Sequence, residues 1–144
     1  MRAKAFLNQL DDQRIVAAIT ESERHTSGQI RVYISRKDVE DALTRAKARF
    51  MALGMDKTRD RNAVLIYFAP RSHQFAVVGD AGVHERCGDD FWRQLTAAMG
   101  AALKNRQFTE AVILAVERCG ALLAEHFPPR PDGSNELPNE VEGD

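Results

Sequence analysis

The sequence predicts an α/β fold, a mixed sheet with helices on both faces, and three observations predict it. Ala63 to Ala69 (AVLIYFA) is a near-continuous apolar run with β-branched and aromatic residues, as expected of a strand covered on both sides. Gln29 to Ser35 (QIRVYIS) is a second strand, separated from the first by a helical stretch. That strand–helix–strand unit should be parallel and right-handed. After Pro70 and a turn at Arg71-Ser72, His73 to Val78 (HQFAVV) returns as an antiparallel hairpin strand.

In chain order, Asn8 is placed to cap a first helix, with Asp11 and Asp12 favourably set against its dipole. Ile15, Ala18, Ile19 and Ser22 share one face, and Arg14, Glu21 and Arg24 the other. Ser27-Gly28 ends this helix near His25 or Thr26. In the next strand Ile30, Val32 and Ile34 alternate with Gln29, Arg31 and Tyr33, which predicts a more exposed second face. Asp38 is placed to cap a second helix over Val39–Leu53, stopped by Gly54. A charged loop, with Arg59 and Arg61 pairing with Asp60 on the surface, leads to the central strand. Gly79 to Glu85 is polar and glycine-rich and reads as a loop. A third helix follows over Asp89–Asn105, then a well-buried fourth from Thr109 to before Pro128-Pro129. Because strands alternate with amphipathic helices, the sheet is layered between them. In such sheets ligands sit outside the carboxyl ends of the strands.

The chain has 144 residues, 44% of them apolar, enough for one core and not two. Residues 1–127 read as that domain. Residues 128–144 form an acidic tail with four of the five prolines. Within it NELPNEV alternates weakly, with Leu137 and Val141 as anchors for lying along a sheet edge, its own or a neighbour's. The tail carries a net −4 and the body about +3, too mild a basic excess for a nucleic-acid binder. Two cysteines, Cys87 and Cys119, provide no disulfide framework and suit a reducing compartment. With no signal-peptide core and no run of membrane-spanning length, the expectation is a soluble, cytoplasmic protein.

Chemistry is expected around the loop after the hairpin. Asp80, Glu85, Asp89 and Asp90, with Asp60 entering the central strand, form an oxygen-rich set suited to a hard divalent cation such as Ca2+. Their spacing matches no calcium loop. The plain alternative is that Asp89 and Asp90 cap a helix and Asp60 bonds loop amides. Phosphate binding there is disfavoured, because Asp89-Asp90 put negative charge at the positive end of the helix dipole. Asp80 with His84 is the only local nucleophile–acid pair for a phosphatase.

The segments TSGQIRVYIS, RNAVLIYFAP, HQFAVVGDAGVHERCGDDFW, FTEAVILAVERCGALLAEHFP and NELPNEV, taken in order from about Asn8 onward, resemble the TPM-domain family. The resemblance implies a Rossmann-like α/β sandwich, divalent-cation binding, usually calcium, and a proposed acid phosphatase activity. It also places the chain in a short, anchorless bacterial subgroup. Where many members carry a G-aromatic-G-L-E pattern, this chain has Gly79-Asp80-Ala81-Gly82-Val83-His84-Glu85. Two functions follow as expectations. The first is a non-catalytic binding module, with a weak cation site at the loop, whose strand-end cleft or tail (residues 135–141) engages a protein partner or a second copy in a homodimer. The second is a metal-dependent hydrolase of phosphate esters. Convergence of Asp60, Asp80, Glu85 and Asp89 separates the two.

Overall fold

In the computed structural model, residues 10–129 and 141–143 are described. The elements are α1 (Asp12–Glu23), β1 (Gln29–Ile34), α2 (Ala42–Ala52), β2 (Ala63–Ala69), β3 (Gln74–Gly79), α3 (Ala81–His84), α4 (Asp89–Lys104), α5 (Phe108–His126) and β4 (Val141–Gly143). The sheet order is β3-β2-β1-β4. β1 runs parallel to β2 in the register Gln29↔Ala63, β3 is antiparallel to β2, and β4 is parallel to β1.

Side-chain alternation along the strands separates two cores. Ile30, Val32 and Ile34 with Val64, Ile66 and Phe68 face α1, α4 and α5, where they meet Ile15, Ile19, Leu95, Met99, Val112, Val116 and Leu123. Tyr33, Leu65 and Tyr67 face α2 and pack on Ala42, Ala46 and Phe50. The α/β class, the parallel unit and the hairpin are therefore as the sequence predicts, and β2 occupies the predicted Ala63–Ala69.

Several local expectations are corrected. Asp11, not Asn8, caps α1, its carboxylate accepting from the Arg14 N–H at 3.2 Å; Asn8 lies outside the described residues. The helix ends at Glu23, two to three residues before the expected His25 or Thr26. Asp41, not Asp38, caps α2. The start is delayed because the hairpin takes the preceding amides: the Val39 N–H donates to Ser72 Oγ at 2.8 Å and the Ala42 N–H to Gln74 Oε1 at 2.8 Å. Asp38 instead pairs with Arg71 on the surface. Gly54 does stop the second helix, at φ 71°, where a side chain would be strained.

β1 has no exposed face; all six of its residues are buried. Tyr33 stacks on Tyr67 with centroids 5.7 Å apart, and the Arg49 guanidinium covers it at 4.7 Å. Arg31 is covered by the tail, whose Glu142 pairs with it.

The largest topological correction concerns the loop after the hairpin. Because β3 is antiparallel, its end lies beside the amino ends of β1 and β2, not their carboxyl ends. The Asp80 N–H donates to the Ala63 carbonyl at 2.9 Å and the Gly82 N–H to the Arg61 carbonyl at 2.8 Å. The segment is also no loop, since Asp80 caps the short helix α3.

Candidate functional site

Of the five candidate cation ligands, only Asp80 is buried, and its carboxylate is already engaged. Arg61 Nε donates to Oδ2 at 2.8 Å, Arg61 NH2 to Oδ1 at 3.0 Å, and the Ala81 N–H to Oδ1 at 2.7 Å. This bidentate fork is the strong form of a guanidinium–carboxylate pair. The contact with Asp80 raises the Arg61 guanidinium above its ordinary range, first through the hydrogen bond and then through charge. Arg61 therefore pairs across 19 positions with Asp80, not with its neighbour Asp60 as its spacing suggests.

Backbone geometry locks the same joint. Arg61 sits at φ 52°, in the left-handed region. A Cβ on Gly82 would collide with the Asp60 carbonyl and lie 2.6 Å from the Arg61 carbonyl, so only glycine lets α3 approach this turn.

The other four residues remain on the surface. Asp60 is exposed in the turn before β2, and Glu85 is exposed at the C-terminal end of α3. Asp89 and Asp90 occupy the exposed first turn of α4, where Asp90 pairs with Arg93. Among the described residues no group of three or more His, Cys, Asp or Glu side chains is placed to hold a metal ion. The donor set does not fit a hard cation, which needs about six oxygens. The one buried carboxylate among them already has both oxygens engaged by the Arg61 guanidinium. His84 is turned against Trp92, with ring centroids 5.6 Å apart.

The cysteines are not poised for chemistry either. Burial pushes the Cys119 thiol up to about 12 and raises that of half-buried Cys87. A reactive cysteine needs the opposite shift.

Two features lie outside the predicted loop. One is the outer edge of β1. The Ile30 N–H donates to Glu23 Oε2 at 2.7 Å, and Val32–Ile34 pair with β4. Each β4 residue meets a specific feature. Val141 packs on the main core, Glu142 pairs with Arg31, and a Cβ on Gly143 would lie 2.7 Å from the Ile34 carbonyl. β4 overlaps the expected edge segment NELPNEV only at Val141, since residues 135–140 lie outside the described residues, and nothing in that segment identifies Arg31 as the counter-charge. Of the two expected anchors, Val141 is partly buried against the core and Leu137 lies outside the described residues. The other feature is a cavity at the carboxyl end of β2, formed with a helix far along the chain and so invisible to local pattern.

A parallel strand–helix–strand unit, an antiparallel hairpin and helices on both faces define a Rossmann-like α/β sandwich. The chain belongs to the TPM domain family, whose sequence model matches residues 2–122. It is similar to the BA42 protein of the psychrophilic bacterium Bizionia argentinensis, solved by NMR. The two are 34% identical with a TM-score of 0.86, covering 94% of this chain and 96% of that one. It shares the fold of the N-terminal domain of the cg2496 protein from Corynebacterium glutamicum, at 17% identity and a TM-score of 0.60 over 93% and 80% of the two chains. No curated protein matches the sequence. Among the described residues, no helix is long and apolar enough to cross a membrane.

Proposed function

We propose that this TPM domain is a non-catalytic binding module that captures an extended protein segment along the outer edge of β1. Its own C-terminal strand is the resident copy of that ligand. The observation that carries the reading is that Val141, Glu142 and Gly143 are each matched by a different feature of the edge. Strand addition takes its affinity from main-chain hydrogen bonds and its specificity from alternating side chains. Here the side-chain requirement is apolar, acidic, then glycine. Arg31 makes the acidic position matter most, because a buried guanidinium without a carboxylate is strongly unfavourable.

A three-residue ladder is short enough to exchange, since each hydrogen bond contributes only about 1 kcal/mol net. A second copy can supply the same strand, which makes a homodimer the simplest assembly. Hydrolysis of phosphate esters draws no support from the arrangement, because the Asp80 carboxylate is engaged by Arg61 and the exposed His84 lies against Trp92. Light scattering across a concentration series tests the self-exchange form. The full chain should show a dimer fraction that grows with concentration, and a chain ending at Pro129 should stay monomeric. The same oligomeric state with and without residues 130–144 would exclude exchange between copies.

A further inference from the structure

We propose that the cavity between the β2–β3 turn and the C-terminal half of α4 binds a small amphipathic carboxylate, an aromatic or short acyl group with an anionic head. The site is at the opposite end of the parallel strands from the Arg61–Asp80 joint and does not depend on strand capture at β1. The cavity stands where β2 turns into the antiparallel β3, walled on its other side by α4.

Its volume is about 280 Å3. An apolar cavity of about 150 Å3 holds a benzene ring, so there is room for a ring and a short polar group. Phe68, Phe75 and Leu103 supply apolar wall, Lys104 and His73 stand at the rim, and no lining residue is acidic. An apolar pocket with a few polar groups among its lining residues is the usual form of a small-molecule site.

Two locally unfavourable residues meet at this cavity. Gly100 lies inside α4, where only proline is worse for the helix. Neither close packing nor a left-handed backbone explains it: a Cβ there would meet nothing within 4 Å, and Gly54 is the only described glycine at positive φ. His73 adopts φ 53°, a conformation that glycine or asparagine takes more cheaply. Residues that break local preference tend to collect at functional sites. Lys104 alone would carry little, since a lysine in the last turn of a helix also complements its dipole.

The test is an amide-detected NMR titration of the full chain with phenylacetate, and with benzylamine as the cation of similar shape. Phenylacetate should shift Phe75, Gly100 and Leu103 saturably at millimolar concentration, with contacts from its ring protons to Phe75 and Leu103 that locate the site without any variant. Lys104→Gln should weaken it about two- to fivefold, as expected for an exposed ion pair. Gly100→Leu should fill the cavity and abolish binding, with Gly100→Ala as the control for helix integrity. Absence of saturable shifts at these positions, equal binding of the amine, or unchanged affinity in Gly100→Leu would each overturn the proposal.

Discussion

Glu142→Leu is the most informative single substitution, because it removes the partner of a buried charge. Arg31 has a side-chain exposure of 8% and Glu142 of 18%. Removing one member of a buried ion pair costs about 3–5 kcal/mol, because the survivor keeps its desolvation penalty. Part of Glu142 remains open to water, and Arg31 has further interactions, so about 2–3 kcal/mol is the reasoned loss here. For a domain of this size that lowers Tm by about 6–10 °C. Urea unfolding followed by the single tryptophan, Trp92, reads the change directly. Arg31→Met should cost a comparable amount. The double variant Arg31→Met/Glu142→Leu should recover most of the loss, since an apolar pair of similar volume carries no desolvation penalty. A Glu142→Leu midpoint equal to wild type, or single losses that simply add in the double variant, would refute the buried-pair reasoning.

Three further outcomes follow from the same geometry. Arg61→Met should loosen the joint at Asp80, accelerating amide exchange at Val83 and His84, and calcium should give no binding heat that Asp80→Asn abolishes. Gly82→Ala should destabilise by about 1–3 kcal/mol in denaturant melts, because two backbone carbonyls fill the space its methyl needs. In the native state a thiol reagent should modify Cys87 and leave Cys119 untouched. The Cys119 thiol, pushed up to about 12 by burial, stays protonated in the folded state while the unfolded thiol ionises at ~8.5. Its contribution is thus complete below that lower value. It is lost as pH rises towards 12, at about 1.4 kcal/mol per pH unit relative to Cys119→Ala.

The fold class was legible because its evidence is local. β2 is apolar on both faces and bounded by Pro70, so its seven residues could be assigned from the sequence with the right ends. The caps were not, because Asn8 and Asp11, or Asp38 and Asp41, are equally good acceptors locally. The hairpin side chains Ser72 and Gln74 decide the second case. α3 was read as a loop since four residues provide no periodicity, and only its Asp80 cap marks it. The polar alternation of β1 suggested solvent, yet Tyr33 and Arg31 are covered by α2 and by the distant tail. The segment after the hairpin lies at the amino ends of β1 and β2, a placement that depends on strand direction and not on local pattern. The carboxyl-end rule covers parallel strands, and β3 runs antiparallel to β2.

Strand capture at β1 is tested most directly by supplying the strand in trans. A peptide of residues 135–144 would be titrated into a chain that ends at Pro129, with Tm and calorimetric heat as readouts. The account predicts saturable binding, and stabilisation by about 2.7 kcal/mol at one hundred times Kd. A peptide carrying Glu142→Leu should bind far more weakly. A truncated chain whose Tm and heat do not respond to the peptide, or one that accepts both peptides equally, would contradict it.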